Sequence, residues 1–214
     1  MMIERGLVGR ILNYMMRSTL EECIMLWFGK TNQTDREIKR MFLTDVLRAA
    51  LGQYDHWQSD TDGLVALLIL NDQFRRNIFR NSPGMYTMDE ECVWLVKYSF
   101  AKGMDEQMDP LKVIFLCLVL THSEELEDQE LCLQIWAKTS QRLKARGHAH
   151  VADRMQQTFA KHFHVIKWFG RFPHRNGILG REHALGEEEF LVDTNFRFDL
   201  PYSPDKGAVN SLHI

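Results

Sequence analysis

Proline is scarce. Five prolines occur in 214 residues (Pro83, Pro110, Pro173, Pro201 and Pro204), so the first 82 residues and the stretch from Leu111 to Phe172 lack the strongest helix breaker. Cysteine is also scarce. Cys23, Cys92, Cys117 and Cys132 never fall into a Cys-x-x-Cys pair, which excludes a zinc ribbon and a thioredoxin-like motif and leaves reduced core thiols. No run of about 18 apolar residues exists; even Leu111–Leu120 is broken by Lys112, so no membrane span is expected. A basic surplus is missing as well, with 26 Lys and Arg against 29 Asp and Glu, a net charge of −3 that disfavours a nucleic-acid partner. Familiar catalytic motifs do not appear: no Gly-x-x-x-x-Gly-Lys-Ser/Thr, no Gly-x-Ser-x-Gly, no His-Glu-x-x-His. His148 and His150, like His162 and His164, are two apart and point to different sides of a helix, so no metal and no cofactor is implied.

What the chain does have is apolar material, 45% of it, spaced for helices. Capping pairs are read at Ser18 with Glu21, Thr34 with Glu37 and Thr87 with Glu90. Helix ends are read at Gly29, Gly52, Gly103 and Gly147, where glycine can enter the left-handed region. The expected helices run over 19–28, 34–51, 60–73, 87–102, 109–120, 125–146, 149–168 and, briefly, 186–193. Short connections make neighbouring helices antiparallel hairpins. The expected fold is therefore all-α, about eight helices in one domain over 1–193, with an extended tail over 194–214. The stretch Met1–Ser18, with Arg5, Arg10 and Arg17 against Glu4, leaves two readings open: a docked terminal helix, or an amphipathic organellar leader. Unpaired cysteines make the cytoplasm the default compartment, with a mitochondrion or other organelle as the alternative.

Three polar clusters interrupt this pattern. The first, Asn71 to Asn77, follows the apolar run Leu64–Leu70; helical spacing carries the core stripe to Asp72 and Arg76, one turn apart, so a charge there must be paired. It also contains Gln73 and Asn77. The second follows Val113–Leu120 and holds His122, Glu124, Asp128 and Gln129; His122 stands where an apolar helix meets an acidic segment, a setting for an acid, a base or a switch. Cys117 lies five residues before it but belongs to the apolar run, and reads as core. The third, Phe169 to Gly177, is irregular and gathers Arg171, His174, Arg175 and Asn176 just beyond a helix whose apolar face His162 interrupts.

These residues carry a resemblance. Leu26-Trp27-Phe28-Gly29, Asp72-Gln73-Phe74 with Arg76-Asn77, His122-Ser123-Glu124 with Asp128-Gln129, His162 with Ile166, the run from Phe169 to Asn176, Leu179-Gly180-Arg181, and Glu187 with Phe190-Leu191 together resemble the mainly bacterial domain-of-unknown-function family 924. The likeness spans Leu26 to Leu191. It implies an all-helical domain of the tetratricopeptide-like superfamily, with its polar motifs close together and no established activity to carry over. The chain departs from the family pattern at Arg75, Cys117, Val119 and His164.

Two functions are expected from these readings. The first is a helical-repeat-like binding or scaffold protein holding a protein or peptide in its groove. The alternative is an enzyme or small-molecule-binding protein for a small anion, a carboxylate or a phosphate: Arg76, Arg171 and Arg175 hold the ligand, His122 or His174 moves a proton, and Asp72 or Glu124 orients the imidazole.

Overall fold

The computed structural model describes residues 2–16, 19–29 and 31–192. Within them the regular elements are helical and no strand forms, as apolar spacing and scarce proline predict. In chain order they are α1 (Met2–Met15), α2 (Leu20–Phe28), α3 (Asn32–Ala50), α4 (Thr61–Leu68), α5 (Arg75–Ile78), α6 (Asp89–Ala101), α7 (Met104–Gln107), α8 (Pro110–His122), α9 (Leu126–Ala145), α10 (Ala149–Phe169), α11 (Asn176–Leu179) and α12 (Glu187–Val192). Ser18, expected to cap a helix, and the tail expected from 194 lie outside the described residues.

α4 and α8 are apolar on all sides, and a helix of that kind is stable only when surrounded. Residues 63 to 70 and 113 to 121 are accordingly buried without a break. α4 packs on α1 and α8, while α8 packs on α6, α9 and α10. α8 with α9, and α9 with α10, form hairpins over short connections. One cluster of buried side chains runs from Ile11 in α1 to Phe159 in α10. α1 thus docks its apolar face, with Ile11, Tyr14 and Met15 in the core. A smaller cluster of Val165, Ile166 and Phe172, joined by Phe169 and Phe190, fastens the segment after α10 to α12. All four cysteines are buried and unbridged.

The expected helix over 60–73 is interrupted. After α4 the backbone widens into a π-helical turn, Ile69–Phe74, before α5 begins. Such turns are rare in helices and concentrate at functional sites. In this one, Asn71 and Asp72 turn inward together with Phe74.

Several helix starts also differ by a few residues. Thr19, not Ser18, caps α2 through a reciprocal box with Glu22: the Glu22 N–H donates to the Thr19 hydroxyl and the Thr19 N–H to the Glu22 carboxylate, both at 3.2 Å. Thr31 caps α3 by accepting from the Thr34 N–H at 3.1 Å, which leaves Thr34 inside the first turn. Thr87 caps nothing, because its hydroxyl accepts from Arg75 Nε at 2.8 Å and α6 starts two residues later. Gly52, Gly103 and Gly147 do adopt positive φ, but Gly29 closes α2 at φ −78°. Pro110 opens α8 at its first position, where the missing N–H is harmless.

Gly63 is required by a close approach. A Cβ at Gly63 would stand 2.6 Å from the Trp57 carbonyl oxygen, in the turn Asp55–Ser59 where Trp57 stacks on Tyr54. Helix propensity alone would favour alanine there by about 1 kcal/mol, but the clash with backbone outweighs it. Gly63→Ala is expected to lose about 1–3 kcal/mol in urea unfolding; a stabilised variant would show that the turn yields freely.

Candidate functional site

The three polar clusters meet at the ends of α8 and α10. The π-helical turn supplies Asp72, α5 supplies Arg76, the end of α8 supplies His122, and the segment after α10 supplies Phe172, His174 and Arg175. Asp72 is 3% exposed, and a carboxylate so buried must be neutralised. Its Oδ1 accepts from Arg76 Nη2 at 2.9 Å and Nε at 3.1 Å, and faces His122 Nδ1 at 2.8 Å. Arg76 reaches on to Asp89 Oδ1 at 2.8 Å, at the first residue of α6.

The 2.8 Å approach of a ring nitrogen to a carboxylate oxygen decides the tautomer. Two lone pairs would repel at that distance, so Nδ1 carries the proton and donates to Asp72. Arg76 Nε also lies 3.1 Å from Nδ1, but has Asp72 Oδ1 at an equal distance and does not need the ring. Nε2 is then a bare nitrogen. Among the described residues no hydrogen bond uses Nε2, and the His122 side chain is 18% exposed.

The charges set one another. Burial pushes the Asp72 carboxyl up, but Arg76 and then His122 outweigh it and hold the group well below its ordinary range. Burial pushes Arg76 down, and Asp72 with Asp89 more than reverse it. His122 is lowered, by burial first and by Arg76 next, against the pull of Asp72. The imidazole at this site is therefore neutral, oriented and basic at one nitrogen.

Arg175 closes the cluster from the other side. Its guanidinium lies between the rings of Tyr86 and Phe172, 4.6 Å from each centroid. Nη2 donates to the His122 carbonyl at 2.6 Å, and Nη1 stands 3.5 Å from Asp89 Oδ2. Nε is buried and, among the described residues, has no hydrogen-bond partner. Burial, then Arg76, brings the guanidinium down to about 10. His162 packs its ring 6.5 Å from His122 and donates Nδ1–H to the Thr158 carbonyl at 2.8 Å; burial lowers it well below the ordinary value. His174 stands beside Phe172, with ring centroids 5.4 Å apart.

Other expected site residues hold the frame. Glu124 does not orient an imidazole: it takes a two-armed bond from Arg181 at 2.6 and 2.9 Å and the Phe172 N–H at 2.8 Å. Arg171 does not converge on Arg76 and Arg175, because Glu187 binds both of its arms at 2.7 and 2.8 Å. Asn176 donates to the same Glu187 at 2.9 Å and accepts from Arg181. Asn77 donates to Asp35 on α3 and accepts from Gln73, while Arg80 pairs with Asp35. Asp128 accepts from the Ser123 hydroxyl at 2.6 Å and faces Lys97. Gln129 caps α8 by donating to the Ser123 carbonyl at 2.7 Å and to Thr121 at 3.1 Å. Arg75, a departure from the family pattern, donates to the Gly84 carbonyl at 2.9 Å and fastens the turn before α6.

Sequence reasoning overlooked Asp89, Tyr86 and the roles of Arg181 and Glu187. Asp89 was findable: with Cys92, Val93 and Val96 it falls on one face of α6, the buried one. Tyr86 carries no such signal, since it sits in irregular chain.

Comparison with known proteins adds a family but no activity. Residues 11–195 match the family described as "Bacterial protein of unknown function (DUF924)". A solved structure of a protein of unknown function from Agrobacterium tumefaciens is similar at 26% identity and a TM-score of 0.67, covering 87% of this chain and 97% of that one. No curated protein matches the chain.

Glu187 makes the acid side of the stability curve predictable. Hydrogen bonding from Arg171 leads the causes that bring its carboxyl from 4.5 to about 2. The folded state thus binds fewer protons than the unfolded one in that window, so its contribution is complete above pH 4.5 and is lost as pH falls towards 2. Glu187→Gln is expected to cost about 2 kcal/mol near neutrality and to flatten the acid limb. Equal losses for both proteins between these limits would contradict this.

Proposed function

The chain belongs to the DUF924 family of bacterial proteins of unknown function, and from that premise we propose that it binds a small molecule at the Asp72–His122 pair, with His122 Nε2 as proton acceptor. The observation that carries this reading is the 2.8 Å contact that places the proton on Nδ1 and leaves Nε2 unengaged on a partly exposed ring. A carboxylate that orients a histidine and stabilises its charged form is the recurrent means of making imidazole a general base. The π-helical turn that presents Asp72, and the perturbed titration of Asp72, Arg76 and His122, add weight.

The ligand class narrows with the charges. Asp72 and Asp89 balance Arg76 and Arg175, and Arg171 is engaged by Glu187. Little free positive charge is left for a carboxylate or phosphate. A ligand presenting an O–H or N–H to Nε2 suits the site better. The binding-protein reading draws its support elsewhere, from the hairpins of α8, α9 and α10. It asks nothing of His122.

Reactivity tests the base. Diethyl pyrocarbonate attacks unprotonated imidazole nitrogen, so peptide mapping by mass spectrometry is expected to find His122 modified in the folded protein. A panel of small alcohols, amides, acetate and inorganic phosphate, read by thermal shift, is expected to yield stabilising compounds for wild type that fail with His122→Gln. A His122 that resists modification, or stabilisation surviving His122→Gln, would overturn the proposal.

A further inference from the structure

Away from this site, a cleft of about 630 Å³ opens between the end of α3, the turn Asp55–Ser59 and the first turns of α6. Among the described residues its lining carries three carboxylates, Asp55, Glu90 and Glu91, and no Lys, Arg or His. Among the described residues none of the three takes part in an ion pair. Acids in the first turn of α6 favour its dipole, which explains their sign but not their gathering around a cleft with Asp55.

Two further features point to a ligand. Asn71 lines the cleft and is 4% exposed, yet its Oδ1 is buried with no hydrogen-bond partner, and its amide makes no side-chain bond among the described residues. A buried carbonyl oxygen without a partner is costly and uncommon, and calls for an occupant that supplies a donor. Trp94 lines the same cleft with 58% of its surface exposed, stacked on Tyr98 one turn further along at 5.5 Å. An exposed indole in a cleft lined by carboxylates attracts an organic cation by its face. Leu67, Met88 and Leu95 add an apolar wall.

We propose that this cleft is a binding site for a flexible aliphatic amine carrying more than one positive charge. Its ammonium groups pair with Asp55, Glu90 and Glu91, its methylenes lie on the apolar wall and Trp94, and one N–H donates to Asn71 Oδ1. A cleft lined by one sign of charge concentrates such ions before they bind. The proposal goes beyond the Asp72–His122 reading and shares no residue with it, so either can fail alone.

Spermidine is the probe, titrated into the full chain by isothermal calorimetry at low salt. One saturable site is expected. Glu90→Gln with Glu91→Gln should weaken it on the order of tenfold, and Trp94→Ala severalfold. Asn71→Ala should also weaken binding while leaving the unfolding midpoint unchanged or raised, since no hydrogen bond is lost; a merely structural asparagine would behave in the opposite way. Absence of saturable heat, affinity unchanged in the Glu90 and Glu91 variant, or full displacement by magnesium at equal ionic strength would overturn the proposal.

Discussion

One carboxylate oxygen, Oδ1 of Asp72, joins parts of the chain 50 residues apart. A buried carboxylate is unfavourable by several kcal/mol unless it is paired and hydrogen-bonded, and the surrounding structure follows from meeting that condition. Arg76 must stand one turn away. Its own buried charge then needs a second acid, which Asp89 supplies from α6. Arg175 enters between two aromatic rings and takes the carbonyl at the end of α8. Each group is tolerable because the next is present.

Such a network is an inefficient way to gain stability, since apolar side chains of similar volume often serve as well or better. What it yields here is a histidine in one tautomer with one nitrogen spare. The carboxylates of Glu124 and Glu187 act in support. Through Arg181, Arg171 and the Phe172 N–H they fix the segment after α10, and so the aromatic and guanidinium wall facing the imidazole.

Much of this was legible beforehand. The all-α class followed from scarce proline and apolar spacing, and the central helices from unbroken apolar runs. The Asp72–Arg76 pair followed from a spacing of four on a core face. The π-helical turn was not legible, because a widened turn preserves the apolar run that announces an ordinary helix. The partners of Arg171 and Glu124 were not legible for another reason: opposite charges in a sequence attract in every arrangement, and only packing chooses among them. Glu187 won Arg171 because α12 folds back on the segment after α10. Thr87 lost its capping role to a guanidinium twelve residues earlier.

The π-helical turn also carries Asn71, whose amide lines the acidic cleft, beside Asp72, whose carboxylate holds the imidazole. One local irregularity thus serves two surfaces of the core. The most direct test of the whole account is the protonation of the His122 ring, followed by nitrogen-15 NMR across a pH titration. A proton on Nδ1, a bare Nε2, and a ring that stays neutral below the ordinary 6.5 of histidine are expected. A proton on Nε2 with a bare Nδ1, or an imidazolium already formed at that pH, would contradict this.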